Sequence, residues 1–161
     1  MLAAEDGVVI EVLNGGINGF NTHGGRVLAD LGSLQPDIVV IELGGNDFLM
    51  GLPIEGARQN LSEMVAAARA MGARVLLVGV RLPDSMLKSE RGRAFDALYT
   101  GLAGELSVPL VPDMFLDALG VERFMQRDGI HPTAEGQKVV ADNVLPGLRA
   151  VLATLPGTTA R

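Results

Sequence analysis

Short apolar runs rich in β-branched residues alternate with stretches of helical periodicity along almost the whole chain, and few folds satisfy that alternation. Each strand followed by a helix can return the chain to the same edge of a parallel sheet, the βαβ arrangement of α/β folds. The spacing predicts strands over residues 8–13, 37–43, 74–80 and 108–111. Three of the four read as near-continuous apolar runs, so helices are expected over both faces of the sheet. Those helices are expected over roughly residues 24–34, 54–71, 92–106 and 133–152. In the second, Leu61, Met64, Val65 and Ala68 recur at three- and four-residue spacing, with Arg58, Glu63 and Arg69 off that stripe. Pro53 suits its first turn and Gly72 its end. Thr133 is placed to cap the last helix, and Pro146 is expected to kink it or end it early. One domain over residues 1–154 follows, with a frayed tail over 155–161.

At 161 residues there is room for one core, and about 70% of the unfolded chain's surface can be buried without a disulfide or a metal. The absence of cysteine excludes zinc-ribbon, thiol-redox and disulfide-scaffold chemistry. Asp plus Glu number 19 against 13 Lys plus Arg, a net charge of −6 that offers no basic footprint for a phosphate backbone, so nucleic acid is not an expected partner. One Tyr, five Phe and no Trp are too few for stacking platforms. No apolar run approaches the ~20 residues of a membrane span, and the first residues lack the basic-then-apolar order of a signal peptide.

In an open parallel sheet, ligands bind where loops leave the carboxyl ends of the strands. Here those loops are rich in polar residues and glycine: Asn14-Gly15-Gly16-Ile17-Asn18-Gly19 after the first strand, Gly44-Gly45-Asn46-Asp47 after the second, and Asp128-Gly129-Ile130-His131-Pro132 after the fourth. Gly129 and Pro132 disfavour a helix through Asp128 and His131. On a loop, the carboxylate can fold back onto His Nδ1 and leave Nε2 as a general base. Taken alone, the pair suits capping of the next helix at least as well. Asn46 can donate to a developing oxyanion, or simply cap a turn. Gly19 can aim a backbone N–H at the same point. A dinucleotide site is excluded by spacing, because the glycines do not give Gly-x-Gly-x-x-Gly and the next acidic residue, Asp30, falls in a helix. His23 lacks partners at metal-ligand spacing. Phe48, Leu49 and Met50 leave the same edge, where they line either an apolar groove or the core.

Taken together and in order, these three loops resemble the SGNH (GDSL-type) hydrolases, in particular the bacterial arylesterase, acyl-CoA thioesterase and lysophospholipase-like branch. The resemblance implies a flavodoxin-like three-layer α/β/α fold with a parallel sheet. It implies a serine ester or thioester hydrolase that works through an acyl-enzyme, with a small acyl ester or thioester as substrate and no cofactor or metal. By position, it implies His131 as general base, Asp128 as its orienting acid, and Gly19 and Asn46 as oxyanion donors. The run Val78-Gly79-Val80-Arg81-Leu82-Pro83 resembles the strand and substrate loop of this branch, which makes Phe48, Met50, Leu82 and Ile130 candidates for an apolar substrate pocket.

The family's opening strand into Gly-Asp-Ser has no counterpart before Val8, so the chain is expected to lack the nucleophile and one βα unit of roughly 30 residues. Neither Ser85 nor Ser89, on the loop after the third strand, sits on the sharp strand-to-helix turn a nucleophile needs. With the family's first strand absent from between them, the strand at 8–13 must pair with that at 37–43 or detach, and an exposed edge invites self-association. A non-catalytic module that binds acyl ligands is the alternative reading. Location in the cell is not legible: many such hydrolases are exported, and a leader would precede the absent block.

Overall fold

The computed structural model describes residues 10–27 and 31–156. Three parallel strands, β1 (Ile38–Ile41), β2 (Arg74–Val78) and β3 (Leu110–Val111), lie in the order β1-β2-β3. Ile38 pairs with Arg74 and Ile41 with Leu77, while Leu77 and Val78 pair with Leu110 and Val111. The helices are α1 (Gly45–Leu49), α2 (Ile54–Ala70), α3 (Asp84–Leu87), α4 (Glu90–Leu106) and α5 (Ala134–Leu152).

Strand alternation divides the core in two. Val39, Ile41, Val75 and Leu77 face Ala57, Leu61, Met64, Val65 and Ala68 of α2 and Phe95, Leu98, Tyr99 and Leu102 of α4. Leu76, Val78 and Val111 face Val144, Leu148 and Val151 of α5. The result is a three-layer α/β/α sandwich. Each fully buried Leu, Val or Phe contributes about 1.5–3 kcal/mol, so these two stripes stabilise the layers more than any helix propensity does.

Four expectations are corrected. Residues 10–13 form no strand, and Val12 is 81% exposed. A strand is stable only against a neighbour, and residues 10–13 pair with no strand among the described residues; residues 8 and 9 lie outside the described residues. Within the expected helix over 24–34, the described residues give 3₁₀ segments at Thr22–Val27 and Gly32–Leu34 and α-helix at Leu31, with Gly24, Gly25 and Gly32 each disfavouring an α-helix by about 1 kcal/mol; residues 28–30 lie outside the described residues. Of the two outcomes expected at Pro146, a kink or an early end, the early end does not occur, since α5 runs on to Leu152. Val144 before it and Leu148 and Val151 after it pack on the sheet, and that burial offsets the lost hydrogen bond. Finally, the second face of β1 is covered only in part among the described residues, since Val40 on it is 46% exposed. The packing under α5 includes Ile38 but not Val40. Of the expected tail, Leu155 bonds back to Leu152 and residues 157–161 lie outside the described residues. Among the described residues no helix is long and apolar enough to cross a membrane.

Candidate active site

The carboxyl ends of the three parallel strands share one edge of the sheet, and the Gly44-Gly45-Asn46-Asp47 turn leaves β1 there. After β1 the chain turns sharply at Gly44, whose φ is +123°. A Cβ at Gly44 would stand 2.6 Å from the Tyr99 hydroxyl, so the turn needs glycine for both conformation and space. That hydroxyl donates to the Leu43 carbonyl at 3.0 Å. Burial, with the nearby charges of Glu42 and Asp47, pushes the Tyr99 phenol well above its ordinary range and keeps it a neutral donor.

The turn sets Asn46 in the first turn of α1, where its Nδ2 donates to the Phe20 carbonyl at 2.7 Å. The next residue, Asp47, is buried. Its two carboxylate oxygens accept from Thr22, one from the backbone N–H at 2.8 Å and the other from the hydroxyl at 2.6 Å. Asn60 of α2 donates to the same hydroxyl oxygen at 2.9 Å. This network fastens the Gly19 loop onto the Asn46 turn. Gly19 itself, at φ +78°, occupies a turn closed by Phe20 N–H on the Ile17 carbonyl. Its own N–H donates to no group among the described residues and stays open at the surface. The structure therefore brings the Gly19 loop and Asn46 together.

Asp128 and His131 form a second unit on the long loop between β3 and α5. An antiparallel bridge between Met125 and Pro132, and the Gln126 N–H on the His131 carbonyl at 2.7 Å, close the base of that loop. Asp128 Oδ1 accepts from the backbone N–H groups of Ile130 at 2.9 Å and His131 at 3.0 Å. Its Oδ2 meets His131 Nδ1 at 2.8 Å. These bonds, the His131 backbone N–H foremost, hold the Asp128 carboxyl down at about 2. A permanently ionised acceptor on Nδ1 fixes the proton there and leaves Nε2 as the basic nitrogen. His131 Nε2 has no partner among the described residues. Helix capping is left to Thr133, whose hydroxyl oxygen accepts from Gly136 N–H at 3.1 Å.

The four candidate substrate residues separate. Phe48 packs inward, its ring 5.1 Å from that of Phe95. Met50 and Ile130 are exposed. Leu82 forms the buried floor, with Phe115 and Met125, of a wide groove that runs beside Gly129. Among the described residues no three His, Asp or Glu side chains gather as metal ligands. None of the five serines sits on a strand-to-helix turn at this edge: Ser89 caps α4, Ser107 ends it, Ser62 lies in α2, Ser85 in α3 and Ser33 in a 3₁₀ segment. Thr22, Asn60 and Arg91 were not legible as site residues in the sequence. Asn60 had one signal, as a polar residue inside the buried stripe of α2.

Residues 1–139 match the GDSL-like lipase/acylhydrolase family. The chain belongs to that family. It is 41% identical over 152 residues to the esterase TesA of Pseudomonas aeruginosa, covering 92% of this chain and 75% of the relative. To the thioesterase 1/protease 1/lysophospholipase L1 of Escherichia coli it is 37% identical over 133 residues, covering 81% of this chain and 64% of the relative. The solved structure of TesA superposes with a TM-score of 0.88 at 38% identity, over 94% of this chain and 84% of that one. The esterase AlinE4, an SGNH hydrolase, does so at 0.72 with 30% identity, over 94% and 82%. The α/β sandwich is thus the fold of the SGNH hydrolases, and the family's members are hydrolases of ester and thioester bonds.

Proposed function

We propose that this chain carries the base, its orienting acid and the oxyanion donors of a serine ester or thioester hydrolase, and that the serine comes from a Gly-Asp-Ser segment outside these 161 residues. The observation that supports this most is the pairing of His131 Nδ1 with an Asp128 carboxylate held ionised by the loop's own N–H groups. His131 Nε2 takes the hydroxyl proton as the serine oxygen attacks the carbonyl carbon. The oxygen that becomes negative is held by the Gly19 N–H and by the Asn46 amide, whose second hydrogen stays free while the first is on Phe20. The imidazolium then returns the proton to the departing alcohol or thiol. Water enters by the same base and releases the acid.

On this reading the 161-residue chain binds acyl ligands without turning them over. A fluorophosphonate should label none of its five serines. Translating the DNA upstream of the Met1 codon and expressing that extension should give hydrolysis of p-nitrophenyl esters. In the extended protein His131→Ala should lower kcat/KM by about 10⁴-fold. Full activity in that variant would remove His131 from the mechanism, and labelling of Ser85 or Ser89 in the short chain would replace the nucleophile. We further propose that the short chain self-associates through the open edge of β1.

A further inference from the structure

One side chain outside the candidate catalytic set reaches the segment that carries Asn46. Arg91, half-buried in the first turn of α4, donates from Nη1 to the Leu52 carbonyl at 2.5 Å. From Nη2 it donates to the carbonyls of Asp47 at 3.0 Å and Phe48 at 3.1 Å. Its guanidinium also lies over the Phe48 ring, 5.1 Å from the centroid. The Asp47 and Phe48 carbonyls end α1, where they also accept from the Leu52 and Gly51 N–H groups, and Leu52 lies three residues beyond the helix, so the guanidinium adds a second donor to a turn that backbone bonds already close. Arg91, Phe95 and Tyr99 follow at four-residue spacing on one face of α4. Phe95 meets Phe48, and Tyr99 holds Leu43, so this one face backs the whole segment from 43 to 52.

We propose that Arg91 is a positioning and specificity-determining residue: by bridging three carbonyls it fixes where the segment 48–52 stands relative to the Asn46 amide, and thereby which acyl chain lengths the site accepts. This rests on the acyl-site reading given above. The segment it holds carries apolar side chains with no cover of their own, Leu49 at 51% and Met50 at 56% exposure, so its position determines how much apolar surface an acyl chain meets. A planar fork is required, since a lysine ammonium cannot serve Leu52 on one side and Asp47 and Phe48 on the other.

The test compares the 161-residue chain with Arg91→Met, which keeps the stem, and Arg91→Lys, which keeps the charge. Hydrogen exchange reads the latch directly, because the N–H groups of Met50, Gly51 and Leu52 donate to Asn46, Phe48 and Asp47. In both variants these amides should exchange about tenfold faster while those of β2 and α5 stay unchanged. A general loss of stability would speed all of them together. Calorimetric titration with C8, C12 and C16 carboxylates reads specificity, and the ratio of C8 to C16 affinity should change by about fivefold or more in both variants. An unchanged ratio in variants that still bind, or unchanged exchange at 50–52, would overturn the inference. A native chain that binds none of the three overturns the acyl-site reading and the specificity claim with it, while the exchange measurement still decides the latch.

Discussion

The Asp128 carboxylate accepts three hydrogen bonds from residues two and three positions further along the chain, and its acidity follows from that geometry. Because its carboxyl is held at about 2 against an ordinary 3.8, the folded loop prefers the ionised form more strongly than the unfolded chain does. Its stabilising effect is fully present above pH ~3.8 and is lost as the pH falls toward 2. The difference in urea midpoint between the native chain and Asp128→Asn should therefore shrink as the pH falls below 4. A difference that does not change with pH would mean the bonds at Asp128 are not what stabilises the loop. Gly44 is the opposite kind of residue, chemically silent and sterically indispensable. Gly44→Ala should cost about 2 kcal/mol or more in urea unfolding, because the new Cβ meets Tyr99 at a φ of +123°. Of the residues proposed for the chemistry, Asn46, Asp128 and His131 stood out in the sequence because each follows a strand on a loop too polar and glycine-rich for mere connection, and Gly19 because of its glycine-rich run. Thr22 and Arg91 were not, since their partners lie 25 and 39 to 44 residues away and no local pattern marks such a contact.

Among the elements, α2, α4 and α5 were readable to within two residues because each buries one continuous stripe, and the stripe is written in the sequence at helical period. The segment at 10–13 misled for the converse reason. Its β-branched run satisfies the local preference for a strand, but pairing is a property of two segments, and no neighbour takes it. What holds the following loop in place is the link from Asn60 through Thr22 to Asp47, which joins α2 to the Gly19 loop and to α1. Thr22→Val keeps the shape but leaves a buried Asp47 oxygen and the Asn60 amide without their partner. It should cost about 1–3 kcal/mol and open the loop at 14–22 to limited proteolysis, with α4 and α5 protected as before. Equal loss of protection in all helices would mean that this link supports the whole domain and not the loop.

At the scale of the whole molecule, the sheet is asymmetric. β3 and β2 lie between two helical layers, whereas among the described residues β1 has no strand on its outer side, and Val40 stays open on the face where only Ile38 joins the packing under α5. An edge with free N–H and C=O groups beside an exposed apolar residue is a template for pairing with another chain. The net charge of −6 opposes that contact at a distance, but its reach is only about 8 Å at physiological ionic strength. The two terms make a signed prediction. Sedimentation velocity across a concentration series should show association that strengthens as salt is added, because screening removes the repulsion and leaves the apolar and backbone contacts intact. Val40→Lys, which sets a charge on the uncovered face, should shift the series back toward monomer without changing the urea midpoint of that monomer by more than about 0.5 kcal/mol. Association that weakens with salt would instead place the contact on charged surface away from β1. A chain that stays monomeric throughout would mean that the β1 edge is covered within the molecule.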